Sequence, residues 1–138
     1  MVTGRSALGE VLEACARAYP LEACGLVIRR RDGSLRVHPM QNASGLDPRR
    51  SYALDPREQL AVFRDAQRQR EQIEVIFHSH CDAGAHLSEE DLLQAAPGGQ
   101  PLHPHAAYLV VAVDKGRATH ARMYRWEAGE LCETPVRL

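Results

Sequence analysis

The sequence predicts an α+β domain with a mostly antiparallel sheet flanked by helices. Three observations lead there. Residues 7–18 repeat apolar side chains at helical spacing, and apolar stretches punctuated by Asp-Gly, Asp-Lys-Gly and Glu-Ala-Gly turns occupy both ends of the chain. One short continuous apolar run, IEVIF at 73–77, lies between them. At 138 residues the chain is long enough to bury a substantial core, and 1–138 is read as a single domain.

In chain order, Leu8, Val11, Leu12, Cys15 and Tyr19 form the apolar stripe of a first helix, which Pro20 ends. EACGLVIR (22–29) reads as a buried strand, RDGS (31–34) as a turn and LRVHPM (35–40) as the strand returning antiparallel. Asn, Ser, Gly and Pro make 41–54 loop-like, ending in a short strand SYAL (51–54). Asp55 as N-cap, Pro56 at the first helical position and Glu58 at the capping-box position open a second helix reaching about Arg70. IEVIF is then a central strand covered on both faces. A third helix starts near Ser88 and PGGQPLHPH (97–105) breaks it, after which YLVVAV, THARMYRW and LCETPV supply three closing strands.

Hydrophobic residues at 44% and charged residues at 25% match an ordinary soluble globular composition. The N-terminus lacks an apolar signal core and no segment approaches the roughly 18 apolar residues of a membrane span, so a cytoplasmic protein without a membrane partner is expected. A net charge of -1 removes the strongest electrostatic argument for nucleic acid. Sixteen of the 17 basic residues are arginine, and Arg29, Arg30, Arg31, Arg49 and Arg50 read as a solvated surface. The four cysteines form no CxxC pair. Cys15 and Cys24 fall at core positions, Cys132 carries no signal, and Cys81 stands in a different context.

That context is HSHCDAGAHLSEED, residues 78–91, directly after IEVIF. Three readings compete: a metal site, a cysteine nucleophile with a histidine base, or a polar loop whose serine caps the next helix. Alternate strand residues share a face, so His78 and His80 present two imidazoles together while Ser79 points away. Asp91, on the first turn of the following helix, can fold back as a third ligand. Two histidines and one carboxylate leave a fourth tetrahedral position for water, as in a catalytic zinc site. Ser88 and Asp91 at i and i+3 equally describe an N-cap with an acidic first turn.

The spacing HSH, seven residues, Ser88, two residues and Asp91 resembles the HxHx7SxxD motif of the JAMM (MPN-plus) zinc peptidases. PLEACGLVI is similar to that family's glutamate-bearing first strand, IEVIFHSH to its metal-bearing strand, and YLVVAV with ARMYRW to its closing strands. The resemblance implies a cytidine-deaminase-like JAMM/MPN fold with a curved sheet. It also implies one zinc per chain on His78, His80 and Asp91, with Ser88 stabilising the oxyanion and Glu22 as the acid/base group. Glu58 is otherwise explained by its capping position and Glu71 by an exposed helix end, whereas Glu22 opens an apolar strand. The implied reaction is hydrolysis of an amide after the C-terminal Gly-Gly tail of a ubiquitin-like or sulfur-carrier protein, through water activated by zinc and by Glu22. A protein-binding scaffold of the same fold without catalysis is the rival reading. One departure stands out. The family's usual HSHP has proline where this chain has Cys81, which reads as a replaceable loop residue facing away from the zinc. His86, His103 and His105 are expected not to be ligands.

Overall fold

A computed structural model describes residues 6–138. The first helix, α1 (Ala7–Ala18), starts at Ser6, whose side chain accepts the Gly9 N–H, and it buries Val11, Ala14 and Cys15. Strands β1 (Cys24–Arg29) and β2 (Leu35–Met40) form the expected hairpin, with Gly33 at positive φ in its turn. Helix α2 (Pro56–Gln69) follows, then β3 (Gln72–Cys81), α3 (Glu89–Ala95), and the strands β4 (Ala107–Asp114), β5 (Arg117–Glu127) and β6 (Glu130–Val136). The six strands make one sheet in the order β2-β1-β3-β4-β5-β6. Only β3 and β4 run parallel, which the crossover through α3 allows, and every other pair is antiparallel.

The sheet is covered on both sides, as IEVIF requires. Val27, Val75, Phe77, Leu109, Val111 and Val113 pack toward Val11 and Cys15 of α1. Cys24, Leu26, Ile28, Ile76, Tyr108 and Val110 form the opposite core, with Val62 and Phe63 of α2 and Ala95 of α3 against it. From Val75 onward period-2 alternation assigns a side to each residue of β3, so Phe77 faces α1 while Ile76 faces α2 and α3; before it a register shift puts Ile73 on the side of Ile76.

Three local expectations are corrected. SYAL is not a strand. Its segment has no neighbouring strand to pair with, and side chains satisfy it instead: Asn42 donates to Ser51 O, Gln94 donates to Tyr52 O, and Ala53 N–H donates to Asn42 Oδ1. Asp55 caps α2 through the Arg57 N–H, but Glu58 does not close a capping box, because its carboxylate sits 3.0 Å from His38 Nε2 on β2. Glu22 precedes β1 rather than opening it. Its N–H donates to Pro48 O at 2.8 Å, out of register with the sheet.

Candidate active site

Strand β3 outruns its apolar core by four residues, so His78, Ser79 and His80 are presented on regular backbone between β1 and β4, with His78 opposite Cys24 and Val110. Ser79 points to the α1 side, where its Oγ accepts the Ala23 N–H at 2.8 Å while its own N–H donates to Ala23 O. These bonds extend the β1–β3 pairing by one residue and set Glu22 beside the histidines. The histidines face the other way. Tyr52 stacks on His78 with centroids 4.1 Å apart and planes within 17°, fixing the ring from the irregular segment.

Asp91 reaches them from α3. Its Oδ2 lies 3.0 Å from His78 Nε2 and 2.9 Å from His80 Nε2, and the two nitrogens are 3.2 Å apart. The aspartate is placed by a reciprocal capping box, in which Ser88 Oγ accepts the Asp91 N–H and the Ser88 N–H donates to Asp91 Oδ2, each at 3.0 Å. Capping and convergence on the histidines are thus one arrangement.

Proton positions follow from the partners. His80 Nδ1 is 3.1 Å from Gly84 O, and since a carbonyl only accepts, Nδ1 carries the proton and the neutral ring offers a lone pair at Nε2. That lone pair faces a carboxylate oxygen at 2.9 Å, so the pair requires a positive charge, either a second proton or a metal ion. Burial opposes ionisation of Asp91, yet hydrogen bonds with His78 and His80 outweigh it and hold the carboxyl well below the usual range. Desolvation pushes His78 down. For His80 desolvation is outweighed by Asp91, and its pKa goes up. Three convergent donors of N, N and O type, separated by about the distance that ~2 Å bonds to one tetrahedral ion produce, suit zinc.

Glu22 is the second carboxylate nearby, with a ligand oxygen within 4.8 Å of both histidine nitrogens. It is only 5% exposed and its Oε1 has no hydrogen-bond partner. Burial, with Asp91 and Glu90 adding to it against the pull of His80, raises its pKa to about 8. Glu22, His80, Cys81 and Ser88 line one cleft of about 670 Å³.

The other polar residues of the motif are apart from this convergence. Cys81 is half-buried at the cleft wall, its Sγ donating to Leu21 O at 3.4 Å, and burial raises its pKa to about 11. The charge of a thiolate is therefore disfavoured there. His86 is on the cleft rim, 3.8 Å from Glu133 on β6. His103 packs against Phe63 with centroids 5.1 Å apart, and His105 is exposed. Sequence reasoning missed Tyr52 and Asn42. Asn42 donates to Glu22 O, Pro48 O and Ser51 O and accepts from Ser44 and Ala53, tying the 43–53 loop to the glutamate. No pattern marks either residue, because each acts through a contact distant in sequence.

Residues 4–127 match the family model described as prokaryotic homologs of the JAB domain. The chain belongs to that family. It is 35% identical over 123 residues to a CysO-cysteine peptidase of Mycobacterium tuberculosis, covering 87% of this chain and 78% of that protein. It is 27% identical over 133 residues to a desampylase of Haloferax volcanii, covering 95% and 88%. Among solved structures, a Desulfitobacterium hafniense protein superposes with a TM-score of 0.69 at 29% identity, over 92% of this chain and 84% of the other. A Salinibacter ruber protein does so at 0.58 and 25%, over 91% and 83%. The α+β fold class expected from the order of elements is thereby borne out.

Proposed function

We propose that this JAB domain is a zinc-dependent peptidase that hydrolyses the amide after the C-terminal Gly-Gly tail of a ubiquitin-like or sulfur-carrier protein. The observation that carries the reading is the meeting of His78, His80 and Asp91 at one point, with Glu22 buried beside it and its Oε1 unpartnered. His78, His80 and Asp91 would hold one zinc ion. Such an ion supplies a Lewis acid that brings water within reach of deprotonation near neutral pH.

The chain's own groups do the rest. Asp91 occupies both histidine nitrogens at hydrogen-bond distance and Glu22 Oε1 has no partner, which leaves Glu22 free to take a proton from water and return it to the leaving amine. Burial holds the Glu22 pKa up, to about 8 without the ion, and a bound cation would draw it back toward a carboxylate able to accept the water proton. Ser88 Oγ accepts from the Asp91 N–H, so its hydroxyl proton remains available to a carbonyl oxygen that gains charge in the cleft. Hydrolysis is favoured over a binding scaffold by Glu22, since a buried carboxyl without a partner costs stability and contributes nothing to binding a protein surface. The relatives named CysO-cysteine peptidase and desampylase support a carrier-protein substrate.

Incubation of the purified protein with Gly-Gly-tailed carrier proteins bearing C-terminal extensions, read by intact mass, tests this. A cut after Gly-Gly is expected, lost on chelation and reduced about 100-fold or more in Glu22→Gln. Cleavage that survives both removal of metal and Glu22→Gln sinks the reading.

A further inference from the structure

Two guanidinium groups, of Arg49 and Arg50, line the same cleft as Glu22, His80 and Ser88, and the chemistry above gives neither a task. Arg49 is partly engaged, 3.6 Å from the Asp47 carboxylate. The Arg50 side chain has no ion pair or hydrogen bond among the described residues.

Their backbone is held in place. Pro48 O accepts the Glu22 N–H at 2.8 Å and the Asn42 amide at 3.4 Å. The Arg49 and Arg50 N–H groups both donate to Asp47, and Ser51, the next residue, donates from Oγ to Glu90 at 2.7 Å. Arg50 therefore extends from a pinned segment that is hydrogen-bonded to the backbone of Glu22. The cleft's own acids do not neutralise it. Asp82 is occupied by the Tyr19 hydroxyl and the Lys115 N–H, and Glu22 makes no ion pair with either guanidinium among the described residues. A guanidinium without an ion pair thus lines the cleft that holds the reacting groups, about 670 Å³, with room for a few residues and none for a folded domain.

Resting on the hydrolase reading above, we propose that Arg50, with Arg49 beside it, receives the free α-carboxylate of a short leaving segment. The preferred substrate is then a carrier whose Gly-Gly tail is followed by one or two amino acids. A guanidinium offers paired N–H donors that match a carboxylate, and the bond strengthens as the cleft excludes water. An isopeptide link to a lysine of a folded protein brings no carboxylate to this place and leaves the cation covered without a partner.

The test uses two synthetic probes, the acetylated tripeptide Gly-Gly-Ala as free acid and as C-terminal amide. The zinc-loaded wild type is expected to favour the acid about tenfold in kcat/KM, mainly through KM, which is the size of one charge-assisted hydrogen bond. Arg50→Gln should bring the acid-to-amide ratio close to one, and Arg50→Lys should restore part of it. Calorimetry on Glu22→Gln protein, with and without Arg50→Gln, reads the same discrimination as binding. Equal handling of acid and amide by the wild type, or a ratio unchanged in Arg50→Gln, overturns the carboxylate site. Cleavage of both probes alike leaves the hydrolase reading standing without this site. Discriminating binding with no cleavage of either probe does the reverse.

Discussion

His80 shows how much of the candidate site depends on single atoms. Its Nδ1 proton is committed to Gly84 O, which turns Nε2 toward Asp91, so His80→Ala removes both the ligand nitrogen and the hydrogen bond that orients it. About one zinc per chain is expected in the wild type, and metal analysis of His80→Ala should find little; stoichiometric zinc in that variant would show the ligand assignment to be wrong. Cys81 gives the contrasting expectation. Its thiol donates to Leu21 O and burial pushes its pKa up to about 11, which disfavours a thiolate nucleophile in the metal-free protein. Cys81→Ser should keep zinc and turnover, and a thiol-alkylating agent should leave activity in place where a chelator abolishes it. Loss of turnover with zinc retained would return the cysteine to the chemistry.

At the scale of elements, the histidines depend on how closely β1 approaches β3. Gly25 lies opposite Phe77, one residue from the Cys24–His78 pair. A Cβ at position 25 would come within 2.6 Å of both the His38 carbonyl oxygen and the Phe77 ring. The backbone oxygen cannot swing aside, so Gly25→Ala should destabilise the protein by about 2 kcal/mol, in the range of overpacked cores. A thermal unfolding midpoint within a degree of wild type would show that β1 and β2 can separate there without cost. The hairpin, the central strand and the last three strands were legible because pattern and turn residues act locally: positive φ at Gly33, Lys115, Gly116, Ala128 and Gly129 coincides with the turns read from sequence. SYAL was misread for a related reason. Its apolar alternation suits a strand, but a strand exists only where a neighbouring strand pairs with its backbone, and here the Asn42 and Gln94 side chains bond that backbone instead.

For the whole molecule, the cost of burying Glu22 sets a pH dependence of stability. In the metal-free protein burial pushes its carboxyl up to about 8, from an ordinary value of 4.5. Between those values the folded state binds more protons than the unfolded state, so this group's contribution to stability declines as pH rises from about 4.5 to about 8. Metal-free Glu22→Gln should therefore unfold at a higher temperature than wild type at pH 8, and the gap should shrink toward pH 5. A gap independent of pH would mean that Glu22 is not held protonated by burial. What the sequence determined by itself was the order of elements, the two faces of β3, and the candidacy of His78, His80, Ser88, Asp91 and, through family resemblance, Glu22. These follow from period-2 alternation, from capping chemistry and from motif spacing, all of which are short-range or inherited as a unit. Only the tertiary structure decided that one oxygen of Asp91 meets both imidazoles, that Tyr52 stacks on His78, and that Asn42 ties the Arg49–Arg50 segment to Glu22. Each of these joins residues remote in sequence across a packed sheet, where distance is set by which elements bury their apolar faces together.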